Sequence, residues 1–149
     1  NTGTVIVGNF GTADRMNYTI IGDAVNVTAR LQEVDKFYHT TIIISEDLYK
    51  KVKDEFLVRP LDLVNVKGKK EKIKIYELVA KIEGELDIKA TSNQIELCGM
   101  FVEAYESYLR KDYEKARSEF LNVLQKFPDD FPTQIFLKRI EDERKGIFL

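Results

Sequence analysis

The chain lacks the covalent and metal devices that would staple a small domain together. Among its 149 residues there is one cysteine, Cys98, which excludes an intrachain disulfide and a Cys-based metal site. A single histidine, His39, excludes a His-pair zinc motif. No purely aliphatic run is longer than the three residues of Ile42-Ile43-Ile44, far below the ~20 needed to span a bilayer, and no signal-peptide pattern is present. Excess charge is missing as well: 23 Lys and Arg against 25 Asp and Glu leave a net charge of −2, without the basic footprint of a general nucleic-acid binder.

What the chain has is material for a core. Hydrophobic residues make up 44% of it, including 9 Phe and 7 Tyr, enough for one good core or a smaller core with an appendage. There is no initiating Met, and NTGTVIVGNFG alternates like a strand in mid-sheet. The expectation is therefore that part of a larger domain lies upstream of Asn1. Two glycosylation sequons, Asn17-Tyr18-Thr19 and Asn26-Val27-Thr28, fall in segments expected to be packed or in a site, and are read as chance.

The first part of the chain reads as α+β. Thr4 to Val7 is a short strand, Gly8-Asn9-Phe10-Gly11 a turn, and Tyr18 to Ile21 a β-branched run stopped by Gly22. Asp23 is placed to N-cap a helix over about Ala24 to Lys36. Thr41 to Ile44 is a buried-type strand, and Ser45 caps a helix through about Val52. Phe56 to Val66 and Lys72 to Val79 form two strands joined by KGKKE, where Gly68 permits a tight turn. The polar stretch 83–93 reads as a connector.

From about Gln94 the period is helical. Phe101, Tyr105, Tyr108 and Leu109 mark one face of a first helix. Ala116, Phe120, Val123, Leu124 and Phe127 mark a second, ended by Pro128, and a third runs from Pro132 to Lys145 with Ile135, Phe136, Leu137 and Ile140 inward. The spacing of Ala104, Ala116, Phe120, Val123 and Pro128 resembles one tetratricopeptide unit; about three are needed for a solenoid. The plain alternative to a protein-binding tail is a helical hairpin docked on its parent domain.

On the helix after Gly22-Asp23, Val27, Leu31 and Val34 form an apolar i, i+4, i+7 stripe, and Asn26, Arg30 and Glu33 a polar one. Geometry by itself gives a solvated face with an Asn26–Arg30 contact worth a few tenths of a kcal/mol. The surrounding string changes that reading. Residues 1 to 80 resemble the second half of the class III nucleotide cyclase catalytic domain in four ordered blocks: Gly-Asn-Phe-Gly, Tyr-Thr-Ile-Ile-Gly-Asp, Val-Asn-Val-Thr-Ala-Arg-Leu and Val-Lys-Gly-Lys.

The resemblance implies an α+β, partial ferredoxin-like catalytic domain over 1–82, with a C-terminal helical hairpin extension over 94–149. It implies an adenylate cyclase that joins the 3′-hydroxyl of ATP to its own α-phosphorus and expels pyrophosphate. Asn26 would orient the ribose and Arg30 would hold the α-phosphate, a task suited to the planar guanidinium fork. Lys67 would neutralise the terminal phosphates; by itself it is one more cation in a solvated lysine run. Thr19 stands where the family reads the purine and points to ATP; it is also an ordinary β-branched strand residue. Asp23 and Arg15 are left structural.

In the family a pair of divalent ions, Mg or Mn, is held by two aspartates of the upstream half-domain, and two domains pair head to tail. These residues alone are therefore expected to make no cyclic nucleotide, and to act in a cytoplasmic homodimer. The alternatives are a non-catalytic cyclase-homology regulatory module, or an unrelated ferredoxin-like binding domain with protein contacts through the tail.

Overall fold

The computed structural model describes residues 1–65, 72–85 and 87–145. Lys67 and Gly68 lie outside the described residues. The order is β1 (Ile6–Thr12), β2 (Arg15–Ile21), α1 (Asp23–Tyr38), β3 (Ile43–Ser45), α2 (Glu46–Val52), β4 (Phe56–Val64), β5 (Ile73–Lys81), α3 (Ser92–Leu109), α4 (Tyr113–Lys126) and α5 (Phe131–Arg144). The α+β expectation holds.

β1 and β2 form an antiparallel hairpin, with Thr12 opposite Arg15 and Gly8 opposite Thr19. The turn expected at Gly8 to Gly11 is instead strand, and the chain reverses at Ala13-Asp14. Gly11 serves the hairpin differently: at φ 148° an added Cβ would sit 1.8 Å from the Arg15 carbonyl oxygen, so only glycine fits. The hairpin leaves Met16, Tyr18 and Ile20 exposed.

A second antiparallel sheet has the order β3-β5-β4. α1 lies on one face of it because its period delivers Val27, Leu31, Val34 and Tyr38 to the sheet, where they pack with Leu61 and Ile75. Tyr76, on the other pleat of β5, stacks on Tyr49 of α2 at 4.0 Å. Ser45 caps α2 as expected, its hydroxyl accepting from the Leu48 amide at 3.4 Å.

The helical part contains the three helices that the period implies, the third closing the hairpin of the first two. α3 starts at a capping box in which Thr91 and Gln94 satisfy each other's backbone amides. Phe101, Phe120 and Phe136 bring one ring from each helix together with centroids 5.4 to 5.8 Å apart. Leu109, expected inward, is 49% exposed: eight residues after Phe101 it lies ~80° off the buried stripe, at the end of the helix. The connector folds back on β5, with the Lys81 amide donating to the Ile88 carbonyl and Ala90 donating to that of Lys81.

The two parts are joined by ion pairs. Arg59 of β4 is 3% exposed; its Nε donates to Glu77 of β5 at 2.6 Å and its Nη2 to Asp130 at 2.8 Å. Asp130 also N-caps α5, accepting from the Thr133 amide at 3.1 Å and hydroxyl at 2.6 Å. The guanidinium lies 4.8 Å over the Phe101 ring. Burial works against the charge on Arg59, but Glu77 and Asp130 outweigh it and hold the group above its ordinary range.

Cys98 sits close to this cluster, 3% exposed, and burial pushes its thiol up to about 11. At pH 8 about one thiol in a thousand is then ionised. The expected result is that a disulfide reagent labels native protein at least ~100-fold more slowly than denatured protein. Equal rates would show the thiol to be accessible.

Candidate functional site

α1 begins at an irregular step. Gly22 is the N-cap, at φ 155° and with no side-chain cap, and its carbonyl accepts from the Val25 amide at 3.1 Å. A Cβ at Gly22 would come within 3.1 Å of the Thr4 carbonyl oxygen. Asp23, expected to be the N-cap, is the first helical residue instead, where its charge favours the amino end of the helix. The start of α1 is tied to β3 through Asn1, which donates to the Ala24 carbonyl at 2.9 Å and accepts from the Ser45 hydroxyl at 2.7 Å.

Burying Val27, Leu31 and Val34 turns Asn26, Arg30 and Glu33 outward, and all three are exposed. The helix thus brings Asn26 and Arg30 onto one face. The expected Asn26–Arg30 contact gives way to another: the Arg30 Nη1 donates to Glu33 Oε2 at 2.6 Å. A carboxylate three residues on is a stronger acceptor for a guanidinium than a neutral amide. Any anionic ligand of Arg30 has to compete with Glu33.

Arg30 and Glu33 line a cleft of about 300 Å³ with Phe37 and Tyr38 of α1, Asp62 of β4 and Arg139 of α5. Neither Asn26 nor Thr19 lines it. Thr19 is exposed on β2, and Lys67 lies outside the described residues. Among the described residues the structure therefore joins two of the four expected site residues on one helix face and leaves the third on the hairpin.

At the floor of the cleft is a network that sequence reading missed. The Tyr38 hydroxyl donates to Asp62 Oδ2 at 2.5 Å, and Arg139 Nη2 donates to that same oxygen at 2.8 Å and to the Tyr38 oxygen at 2.9 Å. Burial, helped by the neighbouring Asp62 charge, pushes the Tyr38 hydroxyl up, which keeps it a donor. Burial disfavours the Arg139 charge, yet Asp62 and Tyr38 overcome that and hold it above the ordinary range. Nothing in the local sequence links these three, which lie 24 and 77 positions apart along the chain. Arg59 and Asp62 did each leave a signal, as the two charges inside the apolar run FLVRPLDLV.

An exposed Asn–Arg helix face beside a small antiparallel sheet defines the first part of the chain as an α+β domain. Residues 1–80 match the model of the adenylate and guanylate cyclase catalytic domain, and the chain belongs to that family. It is 36% identical over 142 residues to a terminal-differentiation-specific adenylate cyclase of Dictyostelium discoideum, a match covering 93% of this chain and 6% of that protein. It is 38% identical over 82 residues to adenylate cyclase 1 of Rhizobium meliloti, covering 55% of this chain and 12% of the relative. The chain therefore spans a small fraction of the length of these relatives. The Dictyostelium match extends well beyond residue 80, into the helical part. Among solved structures, the adenylyl cyclase CyaB from P. aeruginosa is 34% identical, with a TM-score of 0.43 over 56% of this chain and 40% of that one.

Proposed function

We propose that this chain supplies one side of an adenylate cyclase site, in which ATP is converted to 3′,5′-cyclic AMP and pyrophosphate. The observation that carries the reading is the pairing of Asn26 and Arg30 on one exposed face of α1 in a chain of this family. In the reaction the 3′-oxygen forms a bond to the α-phosphorus, the bond from phosphorus to the pyrophosphate oxygen breaks, and the 3′-hydroxyl proton is released. Negative charge builds on the phosphoryl oxygens, and a fixed guanidinium fork lowers that barrier. Arg30 leaves Glu33 for the α-phosphate, Asn26 holds the ribose, and Lys67 meets the terminal phosphates.

Among the described residues no three of His, Cys, Asp and Glu cluster to hold a metal. The roles of Asn26 and Arg30 run through no metal. The exposed apolar residues of the β1–β2 hairpin suit a surface covered in a head-to-tail homodimer. The α3–α4 pair, with Ala104, Ala116 and Phe120 buried between its helices, is read as one tetratricopeptide-like unit closed by α5.

Substrate choice is assigned to Thr19, whose hydroxyl can donate to or accept from adenine. The reading is tested by ATP and GTP turnover in the full-length protein. Wild type is expected to prefer ATP, and Thr19→Glu to lower ATP turnover by about 10-fold or more, because a carboxylate can only accept. A wild-type preference for GTP, or an unchanged ATP preference in the variant, contradicts the assignment.

A further inference from the structure

The cleft beside Arg30 is lined on one side by Arg139 of the helical part. Tyr38 is the last residue of α1, two turns beyond Arg30, and is 1% exposed. Asp62 takes both the Tyr38 hydroxyl and the Arg139 guanidinium on one oxygen, while its other oxygen accepts from the Leu63 amide at 2.7 Å. Arg139 is itself held, stacked 5.0 Å from the Phe136 ring on a helix whose first turn is bound to Arg59 through Asp130. Two further contacts fix α5 against α1 and its sheet: the Phe131 ring lies 4.1 Å from that of His39, and Ile135 packs on the Val27–Leu31 core.

We propose that Arg139 is a positioning residue: through Asp62 and Tyr38, helix α5 sets the orientation of the α1 face that presents Asn26 and Arg30. The functional half of this inference rests on the adenylate cyclase reading above. An α-helix is stiff, and Arg30 stands about 12 Å from Tyr38 along its axis, so a tilt of about 5° at the pinned end moves Arg30 by about 1 Å. Misplacement on that scale is enough to cost up to ~10²-fold in rate without loss of ground-state contacts. The helical part, on this view, belongs to the machinery that shapes the site.

The test uses the full-length protein with Arg139→Met, Tyr38→Phe, the double variant, and Arg144→Ala as a control. Arg144 is on the same helix but pairs at the surface with Glu114 at 3.2 Å. There are two readouts: steady-state kinetics with ATP, giving kcat and KM, and hydrogen exchange of the α1 amides 33–38. Arg139→Met and Tyr38→Phe are each expected to lower kcat about 10-fold with KM within about twofold, and to speed exchange in α1 about 10-fold. The double variant should be little worse than either single one, because both break one network. Arg144→Ala should match wild type in both readouts.

An active wild type with unchanged kcat in both single variants overturns the inference, whatever exchange shows. If wild type makes no cyclic nucleotide, the cyclase reading fails by itself, and exchange decides the positional claim: faster α1 exchange sustains it, and unchanged exchange overturns it. Tyr38→Phe removes one hydroxyl and keeps the ring, so it decides the matter if Arg139→Met fails to fold.

Discussion

Arg30→Ala is expected to lower ATP turnover of the full-length protein by roughly 10²-fold or more while leaving its folding intact, and Asn26→Ala to have an effect of similar size. The side chain of Arg30 is 48% exposed and its only ion pair among the described residues is with the still more exposed Glu33, so its loss removes little that the fold relies on. The rate effect follows from where charge develops. A guanidinium that meets the α-phosphate only as it becomes five-coordinate stabilises the transition state more than bound ATP, so kcat falls with little change in KM. Steady-state cyclic AMP production and a thermal melt, taken on the same samples, check both parts. Turnover within threefold of wild type would remove Arg30 from the chemistry.

Arg59→Met carries the largest expected effect on stability. Removing the guanidinium strands Glu77 and Asp130, whose side chains are 15% and 5% exposed, and unpairing a buried ion pair costs about 3–5 kcal/mol. Burial already holds the Glu77 carboxyl above the usual range, with Arg59 pulling it back down; without Arg59 it rises further. A carboxyl with a raised folded value binds its proton more tightly when folded, so its contribution is fully present below the unfolded value and is lost as pH rises through the folded one. The deficit of Arg59→Met should therefore narrow as pH falls through the carboxylate range, and Arg59→Met with Glu77→Gln should be more stable than Arg59→Met alone. Urea unfolding across pH measures this. A loss under ~1 kcal/mol, or one that is the same at every pH, would show that the cluster does not hold the sheet to the helices.

The elements legible in the sequence were those whose cause is local. The i, i+4, i+7 spacing of Val27, Leu31 and Val34 fixed both the helix and the outward face of Asn26 and Arg30. Ser45 announced α2 and the 3.6-residue period announced all three later helices. Where two local signals compete, the reading slipped. Gly8 and Gly11 look like turn residues, but cross-strand pairing carries β1 through both to Thr12. Asp23 looks like a cap, yet Gly22 adopts the non-helical conformation that the cap position needs. The Tyr38–Asp62–Arg139 network was illegible because its members meet only after the sheet and α5 are docked. That network lines the same cleft as Arg30, so the sequence motif names the outward-facing groups of α1 and omits the side chains beneath them.

On the proposed reading, a triphosphate binds against the Asn26–Arg30 face of α1. The most direct measurement is a structure of the full-length protein with a non-cyclisable ATP analogue and a divalent ion. The predicted result is Arg30 turned away from Glu33 and hydrogen-bonded to the α-phosphate, with Asn26 on the ribose. A nucleotide bound elsewhere, with the Arg30–Glu33 pair intact, would contradict it.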